Sequence, residues 1–359
     1  SDPPSLKALF GADRDNTVAR GRNIVLAPLL GRHSLLLQEG ETHLARRRLM
    51  LPPFHGERMR AYEETMREAT ERQLAGWMPG VPFRIQASMQ AITLEVIMRA
   101  VFGVTERRRD ALRAALLDIL AAVRSPATIG VTIPWLRGLP RFRRIQRQVA
   151  SADELLAAEI AERRADSAVA EREDILSMLV CARDEDGAGM SDAELRDQLM
   201  TLLLAGHETT ATALSWAFEL MFRRPDALER AQEEARAGDE TTWIDAVIEE
   251  ALRLRPVVPF VGRELRRPMT LGGNELPAGT SVFPGIYLAH TNPAAFPDPY
   301  AFRPERFLAD PPETYSWIPF GGGTRRCIGA AFAQFEMGVV LQEVLRRAVL
   351  RPASTEPQP

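Results

Sequence analysis

Over most of the chain, apolar residues recur every three to four positions, the period of a helix with one buried face. The pattern predicts helices over 59–77, 85–102, 106–123 and 141–166. The second is more apolar, as a buried helix is. The fourth is charged, with Ile145, Val149, Leu155, Leu156 and Ile160 on one side. Pro126, Pro134 and Pro140 interrupt the stretch between the last two, which reads as a mobile connection. The clearest helix begins at Ser191, where Ser191-Asp192-Ala193-Glu194 has the form of a capping box. It runs through Leu199, Leu203, Thr210 and Leu214 towards Phe222, with Pro225 as its stop. Long and largely apolar, it is predicted to cross the core. Shorter helices follow over 226–237 and 242–254, the second ended by Pro256.

From 256 to 308 the texture changes. Val257, Val258, Phe260 and Val261, then 269–271 and 281–284, read as short strands among Gly and Pro. A last apolar helix spans 329–345, and 351–359 reads as a disordered tail. There is no internal repeat. The expectation is a mainly α fold with a minor β part, in one domain over 1–350.

Composition narrows the function classes. With 359 residues, 45% hydrophobic and 26% charged, the chain is neither disordered, nor a collagen, nor a disulfide-stapled miniprotein. Its 45 basic and 48 acidic residues give a net charge of −3, which argues against nucleic acid as a partner. Two cysteines, Cys181 and Cys327, make no disulfide framework, and a reducing, cytoplasmic setting is expected. No apolar run reaches the about 18 residues of a membrane helix. The first residues have no signal-peptide pattern.

The sharpest chemistry lies in 320–329, FGGGTRRCIG. Cys327 sits where a glycine-rich loop meets a helix start, and the N–H groups and dipole there favour a thiolate. Gly321, Gly322 and Gly323 permit a tight loop that brings backbone close to something large and flat. Arg325 and Arg326 suit carboxylates. Such a cysteine can be a nucleophile, a zinc ligand or a haem ligand. Zinc needs further ligands at fixed spacing, which are lacking. A nucleophile needs a base, and none of His33, His43, His55, His207 or His290 announces itself. An axial haem thiolate needs one sulfur only.

This segment resembles the haem-binding signature of the cytochrome P-450 superfamily, with Phe320, Gly323, Arg325, Cys327 and Gly329 in its fixed positions. The resemblance implies the P-450 fold around a buried haem b, with Cys327 as the iron ligand. Ala205-Gly206-His207-Glu208-Thr209-Thr210 resembles the family's oxygen-binding helix. By that resemblance Ala205 and Gly206 leave room for dioxygen, Thr209 hydrogen-bonds it, and Glu208 feeds protons through water. His207 is expected to pack or face solvent. Glu250-Ala251-Leu252-Arg253 and the later 302–307, FRPERF, resemble the family's Glu-x-x-Arg motif and its arginine partner. They imply a structural network of Glu250, Arg253 and Arg306. His43 and Arg47, four residues apart, resemble the early helix of bacterial members, and with Arg263 and Arg325 would hold the haem propionates. Arg46 and Arg48 are expected to be solvated.

The implied function is a haem-thiolate monooxygenase similar to bacterial soluble ones. It would use dioxygen, a lipophilic substrate, and a ferredoxin or flavodoxin with its NAD(P)H-dependent reductase docking on a basic face around Arg326, Arg46 and Arg48. Leu202, Ala205, Val258 and Phe260 are candidate pocket residues, and a monomer is expected. Rival readings are a peroxide-using or isomerising haem-thiolate enzyme, and a haem-binding protein without turnover. Against the family's usual extent, both ends look trimmed. His33 and His55 are expected at the surface or in local hydrogen bonds, His290 in a turn, and Cys181 as a small buried hydrophobe.

Overall fold

The helical period carries through into structure. The computed structural model describes residues 2–19, 26–54, 56, 58–103, 106–123, 140–238, 241–309 and 312–354. Its helices are α1 (Pro3–Gly11), α2 (Ala27–Leu30), α3 (Gly40–Met50), α4 (Arg58–Ala61), α5 (Glu63–Leu74), α6 (Ile85–Phe102) and α7 (Glu106–Val123). After these come α8 (Pro140–Ala165), α9 (Ile175–Cys181), α10 (Asp192–Phe222), α11 (Pro225–Ala237), α12 (Thr242–Leu254), α13 (Ile286–His290) and α14 (Ala330–Arg347). Short strands β1 (Thr17–Val18), β2 (Arg263–Leu265), β3 (Met269–Leu271), β4 (Asn274–Leu276) and β5 (Ser281–Val282) make up the minor β part.

Most boundaries follow the periodicity, and the departures have local causes. The stretch 59–77 breaks into α4 and α5 at Tyr62, whose ring is buried and meets Phe332 edge-on at 5.7 Å. Residues 257–261 form no strand and contribute only an isolated bridge from Phe260 to Gly285. Pro259 has no N–H to donate there. The strand begins later, at β2, which pairs antiparallel with β5 in the register Arg263↔Val282. β3 and β4 form a hairpin across Gly272 and Gly273, both at positive φ (56° and 79°), as a tight two-residue turn requires. Helix α10 ends at Phe222 as expected, and Pro225 also opens α11 at its first turn, where a missing N–H costs nothing. Helix α1 went unpredicted, yet its signals are present. Asp2 caps it by accepting from the Ser5 N–H at 2.8 Å, and prolines follow at the start. Cys181 ends α9 and is exposed rather than buried. The expected mobile connection at Pro126 and Pro134 lies outside the described residues, as do 355–359 of the tail.

The chain divides into two compact units. One comprises Ser1–Thr17, Met59–Thr93 and His207–Pro359. Its core forms where α14 packs on α5, α11 and α12. Met337, Val340, Leu341 and Val344 are buried on α14. Helix α11 buries Ala227, Ala231 and Ala235 at a spacing of four, small residues that let helices approach. Glu336 of α14 is also buried, with Oε1 lacking a partner among the described residues. Burial pushes its pKa well above the usual carboxylate range.

The other unit comprises Val18–Arg58 and Leu94–Gly206. There α7 packs on α8, and α9 is tied to α8 through buried Arg163. That guanidinium donates to Asp174 at 2.5 Å, Ser177 at 2.6 Å and Glu159 at 2.9 Å. The capping box that opens α10 is formed. The Ser191 N–H donates to Glu194 at 2.8 Å and the Glu194 N–H to the Ser191 hydroxyl at 3.3 Å. Glu194 also pairs with Arg46 at 2.5 Å, so Arg46 is not solvated, whereas Arg48 is exposed.

In the first unit, Glu250 and Arg253 are both fully buried on α12. Arg253 donates to Oε2 at 2.6 Å and to Oε1 at 2.8 Å. It also donates to the carbonyls of His290, Pro299 and Ala301. Arg306 reaches Oε1 at 3.2 Å, and the Arg303 N–H donates to the same oxygen at 2.8 Å. This is the expected three-residue network, extended by backbone groups that finish satisfying both charges. Breaking a buried pair on one side leaves an uncompensated charge, at about 3–5 kcal/mol. Arg253→Met is therefore expected to lower the thermal midpoint sharply. Glu250→Leu/Arg253→Met should lose less than the sum of the two single variants, which melting of all four proteins checks.

Candidate functional site

The Cys327 loop is closed by its own backbone. The Gly321 N–H donates to the Ile318 carbonyl at 2.9 Å, the Arg326 N–H to Gly323 at 3.2 Å, and the Cys327 N–H to Phe320 at 2.9 Å. Gly321 and Gly323 sit at φ 71° and 68°, the left-handed region that favours glycine. Two further bonds anchor the segment leading into the loop. The Trp317 indole N–H donates to the Glu249 carbonyl at 3.2 Å, and the Ile318 N–H to His290 Nε2 at 2.8 Å. Because Nε2 accepts, Nδ1 carries the proton and donates to the Arg253 carbonyl at 3.1 Å. His290 is wholly buried, and burial pushes its pKa down to about 4. It is thus a neutral bridge between α12 and the loop, ending α13 rather than sitting in a turn.

Two of the glycines have a steric reason within the chain itself. A Cβ on Gly322 would lie 2.7 Å from the Phe10 ring, and one on Gly323 would strike the Asp13 carboxylate. What the loop backbone approaches closely there is α1 and the residues just after it. Gly329 differs. Its φ is −91°, and a Cβ there would meet no atom within 4 Å. The Cys327 side chain beside it is exposed, as is Arg326, while Phe320 and Arg325 are half-buried.

Asp13 also redirects Arg263. The guanidinium donates through Nε at 2.6 Å and Nη2 at 3.0 Å to the two Asp13 oxygens, and through Nη1 to the Gly262 carbonyl at 3.0 Å. The side chains are 5% and 1% exposed, so this is a buried fork-to-carboxylate pair. No spacing rule links residues 250 positions apart, and Asp13 and Phe10 were not foreseen.

Helix α10 shows one open stripe on otherwise buried walls. Ala205 and Trp216 are exposed, and Glu208, Thr209 and Thr212 half-buried, at helical spacing. His207, Thr210, Ala211 and Leu214 are buried beside them. His207 is therefore a packing residue, held by Thr93 Oγ 2.9 Å from its Nδ1. Glu208 accepts from Gln90 Nε2, which lies 3.1 Å from Oε1 and 3.0 Å from Oε2. Gly206 does not face the stripe. A Cβ there would fall 2.5 Å from Ile97 Cδ1, so the room it leaves is filled by α6. Leu202 is 7% exposed and belongs to the core, whereas Val258 (43%) and Phe260 (52%) stand out of the surface with Phe283. Phe260 and Phe283 meet edge-on at 5.9 Å. In the other unit, His43 is buried and Arg47 half-buried on α3, one turn apart.

The profile described as Cytochrome P450 matches residues 1–359. Cytochrome P450 135B1 of Mycobacterium tuberculosis is 44% identical over 362 residues, covering 99% of this chain and 76% of that protein. Cytochrome P450 137 of the same organism is 38% identical, covering 100% and 75%. Among solved structures, retinoic acid-bound cyanobacterial CYP120A1 superposes with a TM-score of 0.83 at 28% identity, covering 96% of this chain and 81% of that one. CYP175A1 from Thermus thermophilus has a TM-score of 0.74 at 29% identity, covering 98% and 82%. The chain belongs to the cytochrome P450 family. By class it is a haem-thiolate monooxygenase. No helix among the described residues is long and apolar enough to cross a membrane.

The residues fit a haem. The thiol of Cys327 is exposed at a helix start, and Gly329 borders space that no part of the described chain fills. Val258, Phe260 and Phe283 expose apolar surface in the same unit, which a flat apolar ring suits. Gly206 tests the local packing. Gly206→Ala is expected to cost about 1–3 kcal/mol through overpacking. Ile97→Val/Gly206→Ala should regain most of it, as thermal unfolding of the two variants will report.

Proposed function

We propose that the protein binds haem b through Cys327 and inserts one oxygen atom of dioxygen into a lipophilic small molecule. The observation that carries the reading is the exposed Cys327 thiol on a backbone-locked loop before α14. The same unit holds Glu208 and Thr209 on an open helix stripe and exposed Val258 and Phe260. A bound haem supplies the activation of dioxygen, which a thiolate ligand favours. The chain supplies position and protons. Thr209 offers a hydroxyl on the open stripe, and Glu208, one residue before it, carries a proton to the same place. Phe260 and Val258 give the substrate an apolar wall, and retinoic acid in CYP120A1 is a ligand of that character. Arg325 is a cation suited to a propionate, and His43 and Arg47, in the other unit, are N–H donors suited to one as well. Arg263 would have to share its fork with Asp13 to join them.

The reduced, carbon-monoxide-treated protein is expected to show the red-shifted Soret band of a thiolate ligand. Cys327→Ala should lose it. A band of the neutral or histidine type in the unaltered protein rejects the reading. A thiolate band without reductant-dependent oxygen consumption points instead to a haem-binding protein without turnover. Product formed from peroxide alone points to the peroxide-using class.

Electrons are proposed to come from a separate acidic ferredoxin or flavodoxin, because Arg326 is an exposed cation one residue from Cys327. Arg326→Glu is expected to slow reduction about tenfold at low ionic strength, with the difference shrinking as salt screens the charge. Stopped-flow reduction at two salt concentrations reads this. Equal rates for both proteins at low salt remove Arg326 from the docking face.

A further inference from the structure

We infer that Gln90 is a positioning residue for the Glu208 carboxylate, and that with Thr93 it sets how α6 turns α10 at the Glu208–Thr209 pair. The inference rests on the reading of Glu208 as the proton carrier. Glu208 has a long stem on the open side of its helix, and such a side chain left alone samples several rotamers. Here one amide nitrogen lies 3.1 Å from Oε1 and 3.0 Å from Oε2, bridging both oxygens. Gln90 is neutral, so it holds the carboxylate by N–H donation and not by a full opposite charge.

The second pin is one turn further along α6. Thr93 is buried, and its hydroxyl donates to the His207 carbonyl at 3.1 Å while lying 2.9 Å from His207 Nδ1. Gln90 and Thr93 are three apart, so they share one face of α6. They grip consecutive residues of α10, His207 and Glu208. Two grips on neighbouring residues, about 100° apart around a helix axis by its 3.6-residue period, fix rotation as well as position. His207 is drawn into the wall, Glu208 is held sideways, and Thr209 is left along the open stripe. All four residues belong to one compact unit.

The test uses the haem-loaded full chain as wild type, Gln90→Leu, Glu208→Gln and the double variant, with Gln90→Ala where Leu does not load haem. The first readout is independent of turnover. The carboxylate stretching band of Glu208, identified by its loss in Glu208→Gln, is expected to shift in Gln90→Leu. An unmoved band overturns the inference. The second readout is dioxygen consumption driven by a reduced ferredoxin. Acid–base groups of this kind contribute about 10²–10⁴-fold, and loss of positioning is expected to cost about tenfold. The double variant should fall no further than Glu208→Gln alone. If Gln90→Leu keeps the wild-type rate while Glu208→Gln is slowed, the positioning role is rejected. If Glu208→Gln keeps the wild-type rate, the proton-carrier reading fails, and the infrared band still decides separately whether Gln90 holds the carboxylate.

Discussion

The buried pair of Glu250 and Arg253 is the constraint from which the Cys327 loop hangs. A charge with no solvent must be answered on every side, and the chain does this with backbone as much as side chain. Arg253 gathers the carbonyls of His290, Pro299 and Ala301, while Glu250 gathers Arg306 and the Arg303 N–H. Segments far apart in sequence are thereby pinned to one turn of α12. The same turn passes the constraint on, because the Arg253 carbonyl orients His290 and His290 receives the Ile318 N–H. From Ile318 the bonds to Gly321, and from Phe320 to Cys327, complete the path to the thiol. The network contributes no chemistry of its own, yet it determines where the sulfur stands.

A second constraint acts on the other side of that loop. Phe10 and Asp13 press on Gly322 and Gly323, and Asp13 simultaneously takes the fork of Arg263. One carboxylate thus joins α1, β2 and the glycine loop. A sequence motif records only the glycines. Two of them also have a steric reason, which lies in α1 and the residues just after it, at the far end of the chain.

Helix α10 shows how one element serves several demands by using its faces separately. His207, Thr210 and Leu214 build the wall, Gly206 admits Ile97, and Ala205, Glu208 and Thr209 line the open stripe. Polar residues in the middle of an apolar helix are costly unless partnered. Gln90 and Thr93 of α6 supply those partners. The positions that look anomalous in the sequence are those where a neighbouring helix answers.

The sequence by itself determined most of the long helices, because amphipathic periodicity and caps are local. Residues 85–102, 106–123 and 242–254 were legible to the residue, as was the capping box at Ser191. It also determined the class of chemistry, because Cys327 and its glycines must lie within one short loop. Pairing across long separations was decided only by the tertiary structure. Asp13 with Arg263, Gln90 with Glu208 and Ile97 with Gly206 leave no periodic trace. Exposure was likewise undecidable in advance. Cys181 lies open at a helix end and Arg46 is drawn to Glu194, since each follows from which neighbour packs nearby and not from residue type.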